Sequence, residues 1–99
     1  MTKVFIDEDK DRYLIEVTDH CPDSKVCAAI SCLLYSLEGW LANEELRDNT
    51  LEIEKASITE GYALIAFSGG VNSAAIFDFV RIGFAQLEAS YPNVMKVQY

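Results

Sequence analysis

Ninety-nine residues, 51% of them hydrophobic and 24% charged, suit one compact core and leave no room for a second domain. Eight Lys and Arg against 16 Asp and Glu give a net charge of -8, which repels phosphate backbones and argues against nucleic acid as a direct partner. The start MTKVFIDEDKDR holds acids where a secretory signal needs an apolar stretch, and no apolar run approaches the roughly 20 residues that cross a bilayer, so a cytoplasmic protein without a membrane partner is expected.

Val4 and Ile6, then Tyr13, Ile15 and Val17, alternate with polar residues and predict strands over Lys3–Ile6 and Arg12–Thr18, joined by an acidic turn over 7–11. Asp19-His20-Cys21-Pro22-Asp23-Ser24 breaks the alternation, and Asp23 or Ser24 is placed to cap a helix starting near Lys25. Val26, Ala29, Ile30, Leu33, Leu34, Leu37, Trp40 and Leu41 follow at helical spacing, while Ala28, Cys32 and Tyr35 leave the back of that helix only weakly polar. Leu51, Ile53, Ala56 and Ile58 alternate irregularly as a third strand. Thr59-Glu60-Gly61 turns this into Tyr62–Phe67, a run apolar on both faces that reads as a central strand covered on both sides. Ser68-Gly69-Gly70 ends it, and Asn72 or Ser73 is placed to cap a second helix with the stripe Ile76, Phe79, Val80, Phe84, Leu87 and Tyr91, stopped by Pro92. Val94–Tyr99 alternates as a last edge strand. The expected fold is α+β, in the order ββαββα with a C-terminal edge strand, an antiparallel sheet packed with two helices in one domain over residues 1–99. The apolar surplus of Tyr62–Phe67 and of the first helix's back predicts a homodimer.

The single histidine, His20, follows the second strand, and Cys27 lies seven positions later in the first turn of the first helix. A short connection leaves little freedom to separate them, so both can face one cleft. Free N–H groups and the positive end of the helix dipole suit an anionic sulfur nucleophile there, and the same groups could hold an oxyanion. A cysteine beside Val26 and two alanines also fits plain core filling. Three cysteines, an odd number in a chain with no export signal, are expected to be free thiols. Cys21, Cys32 and His20 lack zinc-ligand spacing, Gly69-Gly70 lacks a phosphate-loop motif, and the acidic turn lacks the glycine and terminal glutamate of a calcium loop. Neither a metal nor a cofactor is expected.

The segment from His20 to Leu41, with Val26-Cys27-Ala28-Ala29-Ile30-Ser31, resembles the ribosomal-processing cysteine protease family, Prp, in which Gly-His precedes an Asp-x-Val-Cys-Ala-Ala-Val-Ser helix start. Tyr91-Pro92 before a Lys96-Val97 strand is similar to that family's C-terminus, and the element order agrees along nearly the whole chain. The resemblance implies a small homodimeric α+β cysteine endopeptidase that removes the N-terminal extension of a large-subunit ribosomal protein. On it Cys27 matches the nucleophile, His20 the base, and Ser31 the family's serine one turn after the cysteine. Asp19 stands where the family has glycine, Ser24 where it has aspartate, and the His-to-Cys loop is short. Asp19 or Asp23 would orient the imidazole, and the resemblance assigns neither. These departures also suit a different function, a noncatalytic dimeric module that holds peptides on the same scaffold.

Overall fold

In the computed structural model of the protein, residues 1–19 and 23–99 are described. The elements run β1 (Thr2–Asp9), β2 (Arg12–Thr18), α1 (Ser24–Glu45), β3 (Glu52–Thr59), β4 (Tyr62–Ser68), α2 (Val71–Ser90) and β5 (Met95–Gln98). This is the α+β order that the hydrophobic periodicities predict. The strands form one sheet in the order β3-β4-β2-β1-β5.

The sheet is mixed, not antiparallel throughout, because β5 pairs parallel with β1. β4 is antiparallel to β2, which is antiparallel to β1, so β4 and β1 point the same way. Helix α2 then returns the chain to the end where β4 began, and β5 sets out in that same direction, as a helical crossover requires. The first hairpin is also tighter than expected. Pairing continues through Glu8 with Tyr13 and Asp9 with Arg12, which leaves Lys10-Asp11 as the turn, with Lys10 at φ 59. The acids at 7–9 are exposed at the strand's end, where their charge does not oppose the ladder. The irregular alternation of β3 has a cause in its register, which shifts between Ile53 and Lys55. Ile53, Ala56 and Ile58 thereby all fall opposite the inward residues Phe67, Ile65 and Ala63 of β4.

Helix α1 begins as expected, with Asp23 as its cap: the Asp23 carboxylate accepts from the N–H of Lys25 at 2.9 Å and of Val26 at 3.4 Å. Val26, Ile30, Leu34, Leu37 and Leu41 form its buried stripe. At 22 residues it is long and apolar enough to cross a bilayer by length and composition, which corrects the expectation taken from apolar runs. In this fold its stripe packs on the sheet.

Helix α2 departs further from expectation. Gly70 is its N-cap, with no side-chain hydrogen bond, in place of Asn72 or Ser73. The chain enters the helix so closely that a Cβ on Gly69 would stand 2.2 Å from the Ser73 hydroxyl oxygen, and Ser73 is fully buried. That start sets the helix's phase. Its inward residues are Ser73, Phe77, Val80 and Phe84, while Phe79, expected in the stripe, is 68% exposed and Tyr91 is exposed too.

Both helices pack on one face of the sheet, where Val4, Ile15, Ile65, Leu37, Phe84 and Met95 join a single core. At its centre Tyr13 meets Phe77 with ring centroids 4.8 Å apart and Phe67 at 5.3 Å. Strand β4 therefore has helices on one side only. On the other, Phe5 is exposed and Leu14 and Leu64 are half-buried among polar neighbours such as Glu16 and Lys55.

Candidate active site

The register places Lys3, Thr18, Tyr62 and Thr59 side by side across the sheet. One end of the sheet is thus built from the start of β1, the end of β2 and the β3–β4 turn, and the N-terminal turns of α1 lie against it. Between them opens a cleft of about 320 Å³. Val17, Ile30, Leu34, Ile58 and Ala63 give it an apolar floor, and Asp19, Tyr35, Glu60 and Tyr62 give it a polar rim.

Cys27 lines this cleft, half-buried, with a free thiol. Its backbone is fixed by the helix, since its N–H donates to the Asp23 carbonyl at 2.9 Å. Four residues on means one helical turn, so Ser31 lines the same wall, also half-buried. Cys32, five residues on, is an exposed free thiol away from the cleft lining. The expected neighbour of Cys27, His20, lies outside the described residues together with Cys21 and Pro22.

The first turn of α1 is closed by the cap that its sequence predicts. The N–H groups of Lys25 and Val26 are held by the Asp23 carboxylate, and that of Cys27 by the Asp23 carbonyl. Two otherwise unpaired donors of the first turn are therefore engaged by the capping carboxylate, and the Cys27 N–H makes the first bond of the helix itself.

Asp19 forms the rim with φ 71, in the left-handed region. That conformation is natural for glycine and is adopted by few other residues, among which Asp and Asn are enriched. Hence aspartate at position 19 is accommodated in the backbone. Two bonds hold the residue: its N–H donates to the Gly61 carbonyl at 3.1 Å, and its carbonyl accepts from the Thr2 hydroxyl at 3.3 Å. Across the rim, the Tyr62 hydroxyl donates to the Glu16 carboxylate at 2.7 Å, and that bond, with some desolvation and the nearby charge, raises the Tyr62 pKa above the ordinary phenol value. Among the described residues, no group of three or more His, Cys, Asp or Glu is placed to hold a metal ion.

Thr2 and the β3–β4 turn are the cleft residues that sequence reasoning missed. Nothing local in MTKVF marks Thr2, and only the pairing of β1 with β5 and β2 brings it to the cleft.

No protein-family model matches the chain, and no curated protein matches it in sequence. Solved structures do match. The ribosomal processing protease Prp from S. aureus, in complex with a covalently linked product peptide, aligns with a TM-score of 0.71 at 17% identity, covering 100% of this chain and 99% of that one. The chain has the fold of Prp. The same S. aureus protease in complex with a substrate peptide aligns at 0.64 with 17% identity and the same coverage. SMU.848 from Streptococcus mutans aligns at 0.69 with 21% identity, over 99% of this chain and 92% of that one. The Prp fold extends here over every element, including the parallel β5 whose direction the sequence alone did not supply.

Proposed function

We propose that this protein is a cysteine endopeptidase with Cys27 as nucleophile and His20 as base. The observation that carries the reading is the half-buried Cys27 thiol on the wall of an open cleft at the start of α1, in a fold shared over its full length with S. aureus Prp. His20 takes the proton from Cys27 Sγ, and the thiolate adds to the carbonyl carbon of the scissile peptide bond. Collapse of the tetrahedral adduct breaks the C–N bond; the amine leaves with the proton from His20, and an acyl-enzyme remains. Water then adds to the thioester, releasing the acid and restoring the thiol. Ser31 lies along the wall that the bound chain would follow. The apolar floor suits an apolar substrate side chain, and the net charge of -8 favours approach by a Lys- and Arg-rich protein, such as the precursor of a large-subunit ribosomal protein in the cytoplasm.

The working unit in this proposal is a homodimer. Apolar surface remains open on the sheet's uncovered face at Phe5, and on α2 at Val71, Phe79 and Ile82. Sedimentation equilibrium at micromolar concentration is expected to give twice the chain mass; a monomer would refute this part.

Incubation with candidate ribosomal-protein precursors, followed by intact mass, is expected to show one defined new N-terminus that is lost in Cys27→Ala. Cleavage retained in a folded Cys27→Ala would show the nucleophile to be wrong. A second reading, a noncatalytic peptide-binding module, is favoured by the Asp23 cap, which engages N–H groups that would otherwise be available to an oxyanion. Alkylation by iodoacetamide at pH 7 separates the two. Cys27 reacting faster than the exposed Cys32, and slowing in His20→Ala, supports the protease; Cys27 reacting no faster than Cys32 supports the module.

A further inference from the structure

We infer that the outward face of α2 is the surface on which two copies of this chain meet, related by a two-fold axis at residues 76–77, with Phe79 of each copy seated over Ala75 of the other. The inference rests on the homodimer of the proposed reading and names the face that forms it.

Helix α2 leaves Val71, Phe79 and Ile82 85%, 68% and 47% exposed, and Ala75 is exposed between them. Spaced four, four and three apart, these residues share one side of the helix, opposite the buried Ser73, Phe77, Val80 and Phe84. The close entry at Gly69 that turns Phe77 inward turns this stripe out. The helix carries only three charged residues, and each is engaged within its own chain: Arg81 Nε donates to the Asp78 carboxylate at 3.1 Å, and the Glu88 carboxylate accepts from the Val97 N–H at 2.7 Å. An apolar stripe with no free charge beside it is the mark of a covered surface.

The stripe is self-complementary. Across a two-fold axis perpendicular to the helix, residues equidistant from the axis meet. Val71 then meets Ile82 of the second copy and Ala75 meets its Phe79, both pairs centred on residues 76–77. Small faces large at the middle, where Ala75, Ile76 and Trp40 line a groove of about 570 Å³ between the helices that has room for the second copy's Phe79 ring. Three turns of α2, about 16 Å, by the two helix widths that the groove spans, roughly 18 Å, make a patch which with side-chain relief approaches the roughly 600 Å² per partner of the smallest specific interfaces. The sheet's uncovered face is a poorer candidate: Phe5 is 40% exposed there, Leu14 and Leu64 are half-buried, and Glu16 and Lys55 stand among them. An anionic bilayer is disfavoured as well, since the chain carries a net charge of -8 and the one cation of α2 is paired with Asp78. A second copy brings the same stripe, so two like-charged chains meet where neither presents net charge.

The test is sedimentation equilibrium of the full chain, with circular dichroism to show that each variant is folded. Ala75→Glu puts a charge at the centre of the contact from a position already exposed, and is expected to halve the mass, from twice the chain mass to one. Phe79→Glu carries the same expectation should Ala75→Glu not fold. Phe5→Glu, on the uncovered sheet face, is expected to stay at twice the chain mass. Ala75→Phe alone sets two large rings against each other and is expected to sediment at the chain mass, whereas Ala75→Phe with Phe79→Ala in one chain keeps small against large and is expected to dimerise. A folded Ala75→Glu still at twice the chain mass, dissociation by Phe5→Glu alone, or an exchanged pair no better than Ala75→Phe overturns the assignment and leaves the homodimer standing. Wild type at the chain mass removes the homodimer and this face together, and flotation of that monomer with vesicles of phosphatidylcholine and phosphatidylglycerol would assign the stripe to a membrane. None of these results bears on Cys27, which Cys27→Ala tests separately.

Discussion

The backbone at Asp19 offers a direct test of how the rim of the cleft is held. A residue with a Cβ in the left-handed region costs roughly 1–2 kcal/mol relative to the right-handed one, with aspartate and asparagine penalised least because their short polar side chains bond locally. The Asp19 side chain is exposed, so replacing it perturbs the backbone preference and little packing. With φ fixed at 71 by the Gly61 and Thr2 bonds, Asp19→Val is expected to lose about 1–2 kcal/mol, since a β-branched side chain tolerates that region worst. At about 4–8 °C per kcal/mol for a chain of this size, Tm falls by roughly 4–16 °C. Asp19→Asn should match wild type. Asp19→Gly relieves the strain but adds about 0.4–1 kcal/mol of unfolded-state entropy, so the two effects offset to within about 0.5 kcal/mol. Thermal unfolding followed by circular dichroism, with urea midpoints as a check, measures all three. Asp19→Val with an unchanged Tm, or Asp19→Gly more stable by several kcal/mol, would refute the reasoning.

The phase of α2 is tested by a pair of truncations: Phe84→Ala, at a fully buried position, is expected to lose about 3–5 kcal/mol and Phe79→Ala distinctly less, both from urea unfolding. The Ser73 hydroxyl is buried without a hydrogen-bond partner among the described residues, so Ser73→Ala is expected to stabilise by about 1 kcal/mol, and a loss of stability would mean that the hydroxyl is bonded after all. Burial, and after it the charges of Glu8 and Asp11, raises the pKa of Tyr13. Its folded value lies above its unfolded one, so its contribution is complete below about pH 10 and is lost as pH rises through the folded value. Alkaline unfolding should therefore move to higher pH in Tyr13→Phe, and an unchanged midpoint would count against a buried phenol at the core's centre.

The sequence by itself determined what depends on near neighbours in the chain. Alternation at Tyr13, Ile15 and Val17 and helical spacing from Val26 to Leu41 set element type, because one face of each must leave water whatever it later packs against. Asp23 as a cap, the turn at Gly61 and the shared helical face of Cys27 and Ser31 were legible for the same reason. Tertiary structure alone decided the rest. The parallel direction of β5 follows from where α2 delivers the chain, and the inward turn of Phe77 in place of Phe79 follows from the close approach of Gly69 to Ser73. Thr2 reaches the cleft across 17 positions to Asp19, and the β3–β4 turn arrives from beyond Ile58, because strand pairing brings remote segments to one sheet end. No local pattern carries that information: a hydrogen bond between distant residues leaves no periodicity in either segment, and its energy is realised only once the loop between them has closed.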